Sequence, residues 1–263
     1  MIAGRWRRTC PRPWPTKNFT WSINQISLES RRVIGAEALI RWEHPLRGLV
    51  PPDDFIPIAE ANGIIVEIGQ WVLDQACAQA AHWADQGTPL RIAVNLSAVQ
   101  LRQAGIVGDI LDTLHRHDIP AGRLELEVTE TSFMTNLSDA VAKLHRLNKA
   151  GIHIAVDDFG TGYSSLTYLK QMPVQHLKID KQFIRDLLVN EDDTRIANTI
   201  IDLGKSLNLS VVAEGVETAE QEYYLTQRGC KLAQGYFFSK PLLPDDFERF
   251  VEHFHEQLVE NNV

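Results

Sequence analysis

Cysteine is scarce in this 263-residue chain: Cys10, Cys77 and Cys230 are odd in number, widely spaced and unlike any zinc-binding arrangement. That scarcity excludes a disulfide scaffold and favours a reducing cytoplasm over a secreted, bridged fold. Long apolar runs are missing too: no stretch approaches the roughly 18 residues of a membrane span. The first 17 residues, rich in Arg, Trp and Pro, lack the apolar segment of a signal peptide. Positive charge is also in deficit. Twenty-six Lys and Arg stand against 34 Asp and Glu, a formal net charge of −8, so no global basic field draws the chain to DNA, RNA or an anionic membrane. A phosphate-bearing ligand would have to be met by local cations.

What is present is enough apolar mass for a real core, at 44% hydrophobic and 23% charged residues. Residues 1–18 read as a disordered tail or linker remnant and residues 19–263 as one domain, since no repeat, heptad array or Gly/Ser/Pro-rich linker divides the latter. Short β-branched runs alternate with stretches of helical periodicity. Strands are expected at 19–28, 33–42, 91–97, 124–129, 152–157, 174–180 and 209–214, with a weak one at 231–237. Helices are expected at 65–86, 106–117, 138–150, 194–207, 219–228 and 244–260. This alternation predicts an α/β fold, a (β/α)8 barrel. The barrel is a modified one, because only residues 29–32 join the first two strands, a hairpin-length link that makes them antiparallel neighbours.

Side-chain parity then locates a site. Alternate residues of a strand face opposite sides, so Leu124, Leu126 and Val128 face the helices while Glu125 and Glu127 point inward. By the same count Asp157, Lys178, Asp180, Asn95, Glu37, Arg41 and Glu214 point inward late in their strands. Barrel interiors are ordinarily packed with branched apolar side chains, so this charge marks the C-terminal mouth. His153 and His176 share the inward parity and read as satisfied core histidines. Glu37, Glu127, Asp157, Asp158, Asp180 and Glu214 face only Arg41 and Lys178 in this reading, and such a cluster cannot stay ionised unless cations join it. Oxygen donors without Cys or His partners suit Mg²⁺ or Mn²⁺. Carboxylates around two hard cations, flanked by Arg and Lys, are the parts that phosphodiester hydrolysis needs. In that chemistry Asp157 bridges the ions, Lys178 orients the attacking water and Arg41 grips phosphate with its planar fork.

These residues stand in an ordered series of motifs: Gly35-Ala36-Glu37-Ala38-Leu39-Ile40-Arg41-Trp42, Val94-Asn95-Leu96-Ser97, Glu127-Val128-Thr129-Glu130, Asp157-Asp158-Phe159-Gly160-Thr161-Gly162, Leu177-Lys178-Ile179-Asp180, Ala213-Glu214-Gly215-Val216-Glu217 and Gln234-Gly235-Tyr236. Over residues 19–250 the chain resembles the EAL domain, the phosphodiesterase that opens cyclic di-GMP. The resemblance implies a modified TIM barrel with an antiparallel first strand, and hydrolysis of cyclic di-GMP to linear pGpG with two Mg²⁺ or Mn²⁺ ions. It implies that Glu37, Asn95, Glu127 and Asp157 hold one metal, and Asp157, Asp158 and Glu214 the second. Glu37, Lys178 and Glu214 are then the catalytic set, with Lys178 positioning the water. Arg41, Gln234 and Asn95 contact substrate. Glu130 anchors the loop after the fifth strand, Asp180 supports Lys178 and that loop, and Glu217 stands behind them. The loop at 159–165 hinges on Gly160 and Gly162 and lies near a homodimer interface. Degenerate members of the family bind cyclic di-GMP without cleaving it, which is the rival reading; they lose metal ligands, whereas here the matching acidic positions and Lys178 are all present.

Two positions depart from the family pattern. Ser22-Ile23-Asn24 stands where Tyr-Gln-Pro is usual, and Lys231 where Asp is common. Ile23 cannot hydrogen-bond substrate, so Ile23→Gln is expected to lower KM for cyclic di-GMP, and an unchanged KM refutes that role. The Asp-Phe-Gly at 158–160 lacks the other kinase motifs, and His253 and His255, two apart, cannot serve one metal from one helical face.

Overall fold

A computed structural model describes residues 19–44, 46–133, 136–161 and 166–260. The chain opens with strand β1 (Phe19–Ser27), turns through the expected short link and returns antiparallel as β2 (Val33–Ile40), pairing Phe19 with Ile40 and Ile26 with Val33. A small antiparallel hairpin, β3 (Trp42–His44) and β4 (Gly48–Val50), leads into helices α1 (Pro52–Ala61) and α2 (Ile65–Asp85). Strands and helices then alternate: β5 (Arg91–Asn95), the short α3 (Ala98–Leu101), α4 (Ile106–Arg116), β6 (Leu124–Thr129), α5 (Leu137–Lys149), β7 (His153–Phe159), α6 (Leu166–Leu169) and β8 (His176–Ile179). The chain closes with α7 (Lys181–Arg185), α8 (Glu191–Leu207), β9 (Ser210–Ala213), α9 (Ala219–Gln227), β10 (Leu232–Ala233) and α10 (Pro244–Glu260). The barrel order is β1-β10-β9-β8-β7-β6-β5-β2. β1 is antiparallel to both its neighbours, and the other pairings are parallel. Among the described residues no helix is long and apolar enough to cross a membrane.

The hydrophobic core lies between barrel and helices. Leu124, Leu126 and Val128 of β6, Ile154 and Val156 of β7, and Leu177 and Ile179 of β8 pack in one cluster with Leu144 and Leu147 of α5 and Ile200 and Ile201 of α8. Full burial of each such side chain contributes about 1.5–3 kcal/mol. The opposite parity looks into the bore, where Ala93, Ala155, Val212 and Leu232 are buried yet stand outside that cluster. Most of the large apolar groups therefore pack outside the barrel and leave room on its axis for charged side chains. Cys77 and Cys230 are free and buried, and burial pushes both thiols up to about 12, so neither is a ready nucleophile.

Several expected boundaries need correction. The strand expected at 33–42 stops at Ile40, Arg41 lies outside the ladder, and Trp42 begins the separate hairpin, where Trp42, Val50 and Phe55 form a satellite cluster. The weak strand at 231–237 contracts to two residues. Helix α1 was not expected, because Pro57 inside it breaks the helical reading; Pro52 in its first turn and the acidic Asp53 and Asp54 start it. The tail at 1–18 and Gly162 lie outside the described residues, as does the side chain of Ile23, whose backbone pairs with Ala36.

Candidate active site

Strands β2, β5, β6, β7 and β8, and the residue just after β9, bring polar side chains to the same place. Lys178, on β8, is 1% exposed, and its Nζ donates to Glu127 Oε2 and Glu214 Oε1, both at 2.7 Å. Asp157 Oδ1 lies 3.2 Å from the same nitrogen and Glu37 Oε2 3.8 Å. Asn95, at the end of β5, donates to Glu37 Oε1 at 2.7 Å. Gln234, just beyond β10, donates to Glu214 Oε1 at 2.7 Å. That last contact depends on Gly235: with φ +153°, a Cβ there would stand 2.2 Å from the Val216 carbonyl oxygen. Only glycine lets the β10 exit close onto the loop after Glu214.

Asp158 enters differently. Strict alternation would send it away from Asp157, but its backbone is left-handed, φ +53°, and the register of β7 against β8 slips between Val156 and Phe159. Asp and Asn tolerate this conformation better than most residues. As a result Asp157, Asp158 and Glu214 present carboxylate oxygens within 4.8 Å of one another.

The electrostatics of this layer follow from burial and like charge. Burial and then the Glu37 charge push Glu127 well above the usual carboxylate range, against the pull of Lys178. Glu214 is pushed up to about 8 by burial, with Lys178 opposing and Asp157 and Glu37 adding. Asp158 is pushed up to about 7 by burial, then by Asp157 and Asp180. Lys178 keeps its proton far above the usual ammonium value: burial works against it, but Asp157, Glu127, Glu214 and Glu37 outweigh that. Without further positive charge the layer holds extra protons, and the all-oxygen donor set fits a hard divalent cation such as Mg²⁺ or Mn²⁺.

Above the layer opens a cavity of about 410 Å³, whose lining includes Glu37, Leu39, Arg41, Asp157, Lys178, Glu214, Glu217, Gln234 and Tyr236. The structure thus brings together Glu37, Asn95, Glu127, Asp157, Asp158, Lys178, Glu214 and Gln234, with Arg41 and Glu217 on the rim. Asp180 follows β8 and caps α7, accepting from the Gln182 amide at 2.7 Å. Glu130 is buried in the turn after β6, and its Oε2 has no hydrogen-bond partner among the described residues. Gly160 has φ +100°, and a Cβ there would press on Phe183 and Ile200 at 3.1 Å. The charge balance expected from sequence is corrected in one respect: Lys181 and Arg185 also line the cavity. Their signal was a basic pair four residues apart directly after β8, on a five-residue helix too short for periodicity to reveal.

The model of the EAL domain family matches residues 24–241. The bifunctional diguanylate cyclase/cyclic di-GMP phosphodiesterase MucR of Pseudomonas aeruginosa is 48% identical over 211 residues, which is 80% of this chain and 31% of MucR. The chain therefore spans about a third of that relative. A solved PaMucR phosphodiesterase in complex with c-di-GMP superposes with TM-score 0.83 at 42% identity, covering 94% of this chain and 97% of that one. A manganese/cy-diGMP complex of Klebsiella pneumoniae BlrP1 superposes with TM-score 0.74 at 29% identity, covering 89% and 58%.

Proposed function

The chain belongs to the EAL domain family, and from that membership we propose that it hydrolyses cyclic di-GMP to linear pGpG in the bacterial cytoplasm, as a homodimer using two Mg²⁺ or Mn²⁺ ions. The observation that carries this reading is the convergence of Glu37, Glu127, Asp157 and Glu214 on Lys178 Nζ, at 2.7–3.8 Å, on the wall of an open cavity. Glu37, Asn95, Glu127 and Asp157 would hold one cation, and Asp157, Asp158 and Glu214 the other. Bound there, the cations would acidify a water and neutralise the phosphate and the leaving oxygen.

The chain's own residues do the rest. Lys178, a permanent ammonium in this setting, orients the attacking water through a charge-assisted hydrogen bond. Glu37 and Glu214 accept hydrogen bonds from Asn95 and Gln234, which fix their carboxylates in place. Arg41 and Gln234 grip the substrate at the rim. Water adds across one P–O3′ bond: its oxygen goes to phosphorus, one proton reaches the departing 3′ oxygen, and the second is released to solvent. Glu130, Asp180, Gly160 and Glu217 shape the loops around this chemistry. Residues 19–263 form the catalytic domain.

Chromatography of cyclic di-GMP incubated with the protein and Mn²⁺ or Mg²⁺ tests the reading. The expected result is pGpG in the wild type and none with chelator or in Glu37→Ala. Binding without pGpG would make the chain a receptor instead, and sedimentation decides the homodimer.

A further inference from the structure

The cavity has two walls of opposite sign. One carries the carboxylate layer; another is the face of α7, where Lys181, Gln182 and Arg185 line the same space as Glu214. Lys181 is exposed and makes no ion pair among the described residues. Arg185 donates from Nε and Nη2 to Asp186 Oδ2 at 3.2 and 3.0 Å, an exposed pair of neighbours that solvent screens and a phosphate can replace.

This wall is fixed relative to the carboxylates. Gly215, with φ +72°, packs so close that a Cβ there would stand 2.7 Å from Lys181 Cβ. The buried Gln221 donates from Nε2 to the carbonyls of Ile184 at 2.8 Å and Arg185 at 3.2 Å, while its Oε1 accepts from the Glu217 amide at 2.7 Å. The loop carrying Glu214 and the helix carrying Lys181 are therefore joined through one side chain.

Resting on the reading above, a cyclic dinucleotide brings two phosphodiesters to this cavity. One reacts at the carboxylate layer. The other, held nearby by the same ring, would face that layer's negative field unless it had a cation of its own. We propose that Lys181, backed by Arg185, binds the non-reacting phosphodiester and so sets the preference for substrates with two phosphates over those with one. Lys181 is suited to this as a compact charge on a flexible stem, anchored at its base and free at its tip.

The test compares the wild type with Lys181→Met/Arg185→Met and with Lys181→Arg, using the full chain and thermal melts to confirm folding. Rates are measured with Mn²⁺ on cyclic di-GMP and on bis(p-nitrophenyl) phosphate, which has a single phosphate, and calorimetric Kd for cyclic di-GMP is measured in chelator. The double variant is expected to raise KM and Kd about tenfold while kcat stays within about twofold. Its kcat/KM on the one-phosphate substrate is unchanged, and Lys181→Arg retains most of the affinity. Unchanged KM and Kd, or an equal loss on both substrates, overturns the proposal. A wild type that binds without cleaving refutes the hydrolase reading but leaves the calorimetric comparison to decide this one. A wild type that does not bind overturns both.

Discussion

Glu125 and Glu127 are neighbours on the same face of β6, 0% and 1% exposed, and their surroundings drive them in opposite directions. Glu125 accepts from His176 Nδ1 at 2.6 Å and lies 3.4 Å from Arg91 Nη1. Burial raises its pKa, but His176, Arg91 and Lys178 together bring it below the usual carboxylate value. Glu127, one pleat higher, is pushed well above that value because Glu37 and Asp157 add to its burial. Burial is common to both, so the sign of the neighbours decides. In the lower layer of the barrel Glu125 is a lone carboxylate with Arg91 and His176 as partners; the upper layer, five carboxylates with Lys178 among them, closes only when cations arrive or protons stay.

The sharpest way to break the contrast is to remove Lys178. Lys178→Met deletes the charge proposed to orient water, and kcat/KM for cyclic di-GMP is expected to fall about 10²–10³-fold or more, read from pGpG formation by a variant whose melting is cooperative. Retention of most of the rate would remove Lys178 from the chemistry. The corresponding change below is Glu125→Ala. It leaves the buried His176 and the partly exposed Arg91 without their carboxylate, a class of loss worth about 3–5 kcal/mol at most. The melting temperature is expected to drop by roughly 10 °C. Divalent cation affinity, measured by titration, stays close to the wild type's. If Glu125→Ala instead melted normally and lost the cations, the two layers would be one.

Removing cations sharpens the same comparison through pH. Asp158 and Glu214 are raised to about 7 and about 8 from ordinary values of 3.8 and 4.5. The folded state therefore binds protons more tightly than the unfolded one. That stabilisation is complete below the ordinary values and is lost as pH rises through about 7 and about 8. In chelator, thermal melts are expected to fall by about 5 °C or more between pH 6 and pH 9, with Mn²⁺ largely abolishing the slope. Glu125, being lowered, has the reverse sign: its contribution is present above 4.5 and fades in acid. A chelated protein whose melting rose toward pH 9 would contradict the assignment of the upper layer.

Much of this contrast was legible in the residue order. Leu124, Leu126 and Val128 alternate with Glu125 and Glu127, and that alternation alone places both glutamates in the bore. What alternation could not separate was their environments, because Arg91, His176, Glu37 and Asp157 come from four other strands whose register only the closed barrel sets. Asp158 was legible only through its motif, since a left-handed residue breaks the parity on which the strand reading rests. Lys181 and Arg185 were missed for a different reason: five residues of helix give no period to detect, and only the packing of Gly215 against Lys181 shows that this face turns into the cavity.

The smallest expected effect asks whether the lower layer is a triad or a pair. Arg91 is partly exposed, lies 3.4 Å from Glu125, and has an Nε that is buried without a partner among the described residues. Arg91→Met removes a modest attraction and at the same time relieves that unsatisfied donor. The net cost is expected to be about 0.5–1 kcal/mol, well below that of Glu125→Ala, and is measured by denaturant titration. A double-mutant cycle with Glu125→Gln isolates the pairwise part, expected at about 0.5 kcal/mol or more. Coupling near zero would leave Glu125 and His176 as a pair with Arg91 a bystander. Their 2.6 Å contact would then hold the Glu125 carboxylate with no guanidinium taking part.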